Sequence, residues 1–153
     1  MPSVSSDALW FMNDLARIHL TGERVEGRFS VVEFTAPAGD MPPLHRHDRD
    51  HELFYVLEGH LTLHQPGRRV EAEAGNAVFG ERGVAHTYQV SDYGPARFLV
   101  IASPAGFESF VAEVARPAER LRLPEPSAPD PEKLAAIAAR YGIVLLGPPG
   151  TLP

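Results

Sequence analysis

The stretch Gly39–Gly59, G-D-M-P-P-L-H-R-H-D-R-D-H-E-L-F-Y-V-L-E-G, decides the fold of this 153-residue chain. His45 and His47 lie one residue apart, so in an extended backbone both side chains point to the same face. Glu52 follows soon after and opens a run, Leu53–Leu57, of aromatic and branched residues that favour a β-strand. A glycine ends that run at a turn. The stretch therefore indicates a metal site on the wall of a β-structure.

Short strands separated by Gly and Pro turns continue on both sides of this stretch. Residues alternate between apolar and polar, or form short apolar runs, at 16–20, 29–35, 60–64, 85–90 and 97–102. No helical period is present before residue 105. Many short strands with close turns predict an antiparallel sandwich or small barrel, so the fold class is all-β.

The C-terminal third changes character. Apolar residues recur at helical spacing after residue 105, a Pro-rich linker covers 117–131, and Asp130-Pro131 followed by Tyr141-Gly142 marks the start and end of a second helix. The tail Ile143–Leu146 is apolar and suits a last extended piece or contact with another subunit. We expect a barrel over 1–105 and a helical extension over 106–153 packed on it, in one domain.

Composition narrows the function classes. There is no cysteine, which excludes disulfides, thiolate ligands and cysteine nucleophiles and fits a reducing compartment. The formal net charge of -6 argues against nucleic acid as a partner. No apolar run approaches the ~20 residues of a membrane span, and the first residues do not resemble a signal peptide. We expect a cytoplasmic protein with a small-molecule substrate.

Imidazole and carboxylate groups are the expected ligands of a divalent first-row metal when thiolates are absent. His86 is the best candidate for a fourth ligand beside His45, His47 and Glu52, because glycines flank its strand as they flank the first. His51 could compete with Glu52, but adjacent strand residues face opposite ways, so we favour Glu52 and place His51 on a loop or outer face. The candidate ions are Ni, Mn, Fe, Co, Cu and Zn.

The spacing G-x5-H-x-H-x4-E-x6-G resembles the first motif of the cupin superfamily at every defined position. The second cupin motif is similar to the segment containing Gly75, Gly83 and His86, but Glu81 stands where Pro is usual and Val90 where Asn is usual. The resemblance implies a cupin jelly-roll barrel that binds one divalent metal. The implied ligands are His45, His47, Glu52 and His86. A cupin that keeps the motif without the metal is the alternative.

The whole chain also resembles small monocupins similar to quercetin 2,3-dioxygenase. That resemblance implies a dioxygenase acting on an enolic or phenolic, flavonol-like compound, with Glu52 as the base. Phe54 and Val56 share the face of Glu52, and Tyr88 shares that of His86, so we expect them to line the substrate pocket. The alternatives are a binding cupin without turnover and an oxygen-independent isomerase or hydrolase.

Two further expectations concern the surface. His60 and His64 share a face opposite Leu61 and Leu63, which predicts that these two histidines are solvated. The apolar segments 10–12 and 143–146 lie near the two ends and predict a homodimer.

Overall fold

The computed structural model describes residues 7–153 and, within them, twelve strands and two α-helices. The elements are β1 Ala8–Phe11, β2 Asp14–Leu20, β3 Ser30–Ala36, β4 Pro43–His47, β5 His51–Glu58, β6 His60–Gln65, β7 Arg68–Glu73, β8 Ala77–Gly80, β9 Thr87–Val90, β10 Ala96–Ser103, α1 Phe107–Val114, β11 Arg116–Pro117, α2 Pro131–Arg140 and β12 Ile143–Pro149. The predicted all-β jelly roll with a C-terminal helical segment is confirmed. Residues 1–6, which the expected barrel included, lie outside the described range.

The strands form two facing layers. One layer is a seven-stranded antiparallel sheet with the order β11-β1-β2-β3-β10-β5-β8. The other contains the β7-β6-β9 sheet and the β12-β4 pair, which a backbone bridge between His45 and His86 connects. The metal-site motifs predicted from sequence therefore meet in the second layer and at the adjoining strand β5.

Every second side chain of the strands points into the space between the layers. Ser30, Val32 and Phe34 of β3 point inward and are buried, and the inward face of β5 carries Glu52 and Phe54. Outward-facing residues between them are half-buried or exposed. The rings of Phe34, Phe54, Tyr88 and Phe98 pack against one another with centroid separations of 5.2–6.3 Å. The core therefore continues directly into the floor of the predicted site.

The C-terminal segment returns to the barrel and covers its open end. α2 begins at the N-cap Asp130, whose carboxylate accepts hydrogen bonds from two backbone N–H groups. After the helix, β12 pairs with β4, and Leu145 lies opposite His45. The N–H of Asp48 donates to the carbonyl of Gly142 over 2.8 Å. The predicted last extended piece is thus a strand laid beside the two histidines of the first motif.

The apolar segments near the two ends are largely used inside this chain. Trp10, Phe11 and Ile143 are buried, and the indole N–H of Trp10 donates to the backbone oxygen of Arg122 over 2.8 Å. Packing within the chain accounts for these three residues, whereas Leu146 is 43% exposed, and the homodimer stays a prediction. Among the helices in the described range, none has both the length and the apolarity that crossing a membrane requires.

Candidate metal centre

Strands β4, β5 and β9 bring the four predicted ligands together. His45 and His47 lie on β4, Glu52 lies near the start of β5, and His86 directly precedes β9. The N–H of His86 donates to the oxygen of His45 over 2.8 Å, and the N–H of His45 donates to the oxygen of His86 over 3.1 Å. Main-chain hydrogen bonds therefore fix the register of the two motifs.

The four side chains form one compact group. Each offers one donor atom, and these atoms all lie within 4.8 Å of one another. Glu52 lies between two of the rings, with Oε1 3.3 Å from His47 Nε2 and Oε2 3.1 Å from His86 Nε2. Two donors bound to one ion at about 2.0–2.2 Å lie no more than about 4 Å apart, so the observed spacing is close to that of a coordination sphere.

The second nitrogen of each ring meets an acceptor outside the group. In His45 and His86, Nδ1 donates to the backbone oxygen two residues earlier, over 2.7 and 3.3 Å. In His47, Nδ1 donates to the carboxylate of Asp50 over 3.1 Å. In a neutral ring this pattern favours the Nδ1–H tautomer, which leaves Nε2 with a lone pair for a cation.

That tautomer decides whether the group suits a cation. Nε2 of His47 and Nε2 of His86 face the two carboxylate oxygens of Glu52 at 3.3 and 3.1 Å, where a proton on the nitrogen or a cation between the groups gives an attractive contact. A divalent cation would take the place of these protons, and each ring is already oriented as metal-binding histidines are. The donor set therefore fits one divalent transition-metal ion.

Burial and charge shift the pKa values of these groups. Burial lowers the pKa of His45 to about 3, and the neighbouring histidines add to that effect. Burial also opposes the charge on His47, yet the carboxylates of Glu52 and Asp50 outweigh it and raise the pKa of His47. Burial opposes ionisation of Glu52, but His47 and His86 lower its pKa to about 2. Glu52 is therefore anionic and His45 neutral throughout the neutral range.

The centre of the chain matches a known protein family. Residues 32–102, which contain all four side chains, match the Cupin domain family. This region is a cupin domain. This confirms the family resemblance of the two motifs.

Three relatives place this cupin among proteins of different activity. Quercetin 2,3-dioxygenase of Bacillus subtilis is 28% identical over 119 residues, which are 78% of this chain and 35% of that protein. The oxalate-binding protein of Thermotoga maritima is 29% identical over 65 residues, which are 42% of this chain and 54% of that protein. The cupin thus spans about a third and about half of these two relatives.

The third relative is a solved structure, the polyketide cyclase RemF of Streptomyces resistomycificus. It superposes with a TM-score of 0.52 at 28% identity, and the match covers 80% of this cupin and 78% of RemF. A dioxygenase, a binding protein and a cyclase are therefore all similar to this chain, so a cupin domain does not fix the reaction.

Asp50 is a site residue that reasoning from the motif missed. Its side chain is buried, and its carboxylate receives the Nδ1–H of His47. A carboxylate behind a metal-binding histidine fixes the ring and raises its basicity. The available signal was an acidic residue three positions after His47, inside the first cupin motif.

The remaining histidines lie outside the group. His51 faces outward, where its Nδ1 accepts the N–H of Arg82 over 3.0 Å and its ring packs on Phe79. His60 is exposed, and His64 lies 3.3 Å from the side-chain oxygen of Gln89. These positions agree with the expected outer-face locations.

The unusual second motif keeps the loop in contact with the site. Glu81, at the usual Pro position, is exposed, while Val90, at the usual Asn position, is fully buried in the core. The N–H of Gly83 donates to the oxygen of His47 over 2.8 Å. The loop is therefore anchored directly to a residue of the group.

A small cavity of about 60 Å³ lies against the group. His45, His47 and Glu52 contribute polar surface, and most of the remaining wall is apolar. Of the three predicted pocket residues, Phe54 and Tyr88 line the cavity, whereas Val56 is buried in the core and is not part of its wall. The hydroxyl of Tyr88 donates to Asp14 over 3.3 Å.

Much of the cavity wall was not predicted. It comes from β1, α1, α2 and β12, and includes Phe107, Phe110, Leu134, Ile143 and Leu145. Helical periodicity indicated that α1 and α2 each have an apolar face, but it does not specify what that face covers. The C-terminal segment is therefore part of the site.

Proposed function

We propose that this cupin binds one divalent transition metal through His45, His47, Glu52 and His86, and catalyses an oxygen-dependent reaction of a small enolic or phenolic compound. The observation that carries the proposal is the convergence of three imidazole rings and one buried carboxylate beside a small apolar cavity. The 28% identity with quercetin 2,3-dioxygenase over 78% of the chain supports oxygen as the co-substrate.

The charge of the group selects the kind of ligand. Three neutral imidazoles and one carboxylate balance only one charge of a divalent ion, so the site favours an anionic oxygen donor such as an enolate or phenolate. A bound metal would supply Lewis-acid polarisation of that oxygen and, with dioxygen, redox chemistry. The apolar wall, including Phe54 and Phe107, would hold the carbon skeleton and exclude water.

Glu52 is the residue to which we assign proton transfer. Its side chain is 2% exposed, and its carboxylate is ionised in the neutral range because His47 and His86 lower its pKa. An ionised carboxylate beside the bound oxygen is placed to accept a hydroxyl proton. Water is excluded around it, so the proton stays at Glu52 Oε1 or Oε2 until it returns to the product.

The size of the cavity restricts the substrate. Pockets for drug-sized ligands span about 300–1,000 Å³, and this cavity holds about 60 Å³. A three-ring flavonol does not fit while the C-terminal segment lies in place. This volume favours a compound of one ring or smaller.

RemF supports a second candidate, an oxygen-independent reaction in which the metal acts only as a Lewis acid. The match to this cyclase covers about four fifths of both chains, which is the most balanced coverage among the three relatives described. The same group would polarise a carbonyl, and Glu52 would move a proton between carbon and oxygen. The third hypothesis is a cupin that binds a ligand without turnover, and the similarity to the oxalate-binding protein supports it.

Oxygen uptake separates these candidates. Protein loaded separately with Ni, Mn, Co, Fe or Cu is supplied with simple phenols, enols and flavonols in an oxygen electrode. We expect uptake with at least one metal and none with the H47A variant. Metal binding without uptake for any combination would rule out the dioxygenase. Substrate loss under anaerobic conditions would then support the second candidate.

A further inference from the structure

A groove on the surface lies directly outside the cavity that contacts the proposed ligands. It has a volume of about 930 Å³ and runs between the Pro-rich segment before α2, α2 itself and β12. Pro43, Leu134 and Leu145 line both the groove and the cavity. These three residues are therefore the wall between the group of ligands and the surface.

The two leucines are the parts of that wall that can move. Pro43 is fixed by its ring and by its position in β4, whereas leucine side chains change rotamer without backbone movement. Leu145 is half-buried and lies opposite His45 in the β12–β4 pair, and the register of that pair becomes irregular immediately after it. Leu134 is 4% exposed and lies on the first turns of α2.

The C-terminal segment that carries the two leucines is attached to β4 and to α1. In the described sheets β12 pairs with β4 alone, the hydroxyl of Tyr141 donates to Glu113 of α1, and residues 126–129 of the Pro-rich segment line the groove. Because these contacts hold the backbone of the segment, the leucine side chains are the parts of the wall that can change conformation while the barrel stays intact. Movement of the leucines alone would join the 60 Å³ cavity to the groove.

We propose that Leu134 and Leu145 form the gate of the site and set the size of the ligand that reaches it. The inference rests on the proposed function for the identity of the ligand, an enolic or phenolic compound, but the gate itself is a property of the wall. Small anions pass between the two leucine side chains, whereas aromatic phenolates enter only when these side chains change rotamer. These residues are specificity-determining and need not contact the reacting atoms.

The neighbouring residue supplies a matched control. Leu146 is 43% exposed, lines the groove and is not part of the cavity wall. A Leu→Ala change at 146 removes the same atoms from the same strand as at 145, one position away on the opposite face. Only the change at 145 opens the wall.

The test compares the parent with L134A, L145A, L146A and L145W, all as full-length protein loaded with cobalt. Metal content is measured first, and stopped-flow absorbance then follows the binding of azide and of 4-nitrocatechol. We expect L134A and L145A to bind 4-nitrocatechol about tenfold faster than the parent, with azide rates unchanged. L146A should match the parent, and L145W should be slower with both probes.

The design separates a failed gate from a failed metal site. If cobalt binds equally to all variants and 4-nitrocatechol enters the parent as fast as L145A, the gate is wrong. If no cobalt binds, the proposed function fails, and the gate is tested without metal by ¹⁹F NMR exchange of 4-fluorophenol in the same variants. If L134A does not fold, L145A still tests the gate, because Leu145 is only half-buried. L145W should slow 4-nitrocatechol binding, whereas a general loosening of the segment would speed it.

Discussion

Nδ1 of His47 lies 3.1 Å from Oδ1 of Asp50, and both side chains are almost wholly buried. Because this nitrogen donates to a carboxylate, the ring is held with Nε2 directed towards Glu52 and the other proposed ligands. Asp50 therefore orients a proposed ligand without being one.

We predict that Asp50→Asn weakens metal affinity by about 10–100-fold, and that Asp50→Ala weakens it further. The amide keeps an acceptor oxygen but loses the charge that raises the pKa of His47. Alanine removes both. Competition with a chromophoric chelator measures the dissociation constants.

Asp48→Asn is the matched control for this experiment. Asp48 lies two residues away, its side chain is 43% exposed, and it pairs with Arg46 over 2.6 Å. Its replacement should leave metal affinity within a factor of about two of the parent. Equal losses at positions 48 and 50 would show that general charge, and not orientation of His47, controls binding.

The second prediction tests the proposed ligands themselves. His47→Ala and His86→Ala each remove a buried Nε2 donor, so the dialysed proteins should retain little metal. His51→Ala removes an outward-facing ring from the same segment and should retain the metal content of the parent. Elemental analysis after dialysis gives the ratio of metal to protein. Full metal content in both H47A and H86A would refute the ligand set.

The sequence predicted the site correctly where strand alternation and motif spacing determine which face a side chain lies on. Glu52 and Phe54 lie on the buried face of β5 and Tyr55 on the exposed face, as a period of two requires. Alternation also separated His51 from Glu52 correctly. The two motifs predicted a group that the fold brings within 4.8 Å, although their histidines are up to about forty residues apart in the chain.

The sequence did not predict the parts of the site that depend on which elements pack against each other. The amphipathic pattern of α2 predicts that Leu134 is buried, but the same pattern fits any apolar surface. Leu134 lines the cavity because β12, which follows α2, pairs with β4 and so places α2 beside the cavity. Likewise, the C-terminal tail fitted either an intramolecular strand or a subunit contact, and only the register of Leu145 with His45 distinguishes them.

A third prediction concerns the turn that ends the first motif. Gly59 has a φ of +81°, and a Cβ there would lie 2.5 Å from the backbone oxygen of Pro95. Gly59→Ala therefore combines an unfavourable backbone conformation with a clash against rigid main chain. We expect a loss of about 3 kcal/mol in the free energy of unfolding, measured by urea denaturation.

Gly67→Ala isolates the backbone contribution. Gly67 has a φ of +66°, but a Cβ there would meet no atom within 4 Å. This variant should lose only about 1–2 kcal/mol. If the two variants lost the same free energy, close approach to Pro95 would not be the reason for glycine at position 59.

The last prediction concerns a buried acid outside the metal group. Asp14 is 1% exposed, and its Oδ2 accepts the hydroxyl of Tyr88 over 3.3 Å. Burial raises the pKa of Asp14 well above its usual range, and the nearby carboxylate of Asp40 raises it further. The folded protein therefore holds the Asp14 proton more tightly than the unfolded chain does.

The direction of the pH effect follows from that difference. A raised folded-state pKa gives a stabilising contribution that is complete below the unfolded value of about 3.9 and is lost as the pH rises through the folded value. Asp14→Asn removes this titration and keeps an acceptor for Tyr88. Unfolding measured between pH 4 and pH 8 should show the variant gaining stability relative to the parent as the pH rises. The exposed Asp92 provides the control, since D92N should follow the parent throughout. A D14N advantage that stays constant or shrinks with rising pH would mean that Asp14 is not held protonated in the folded protein.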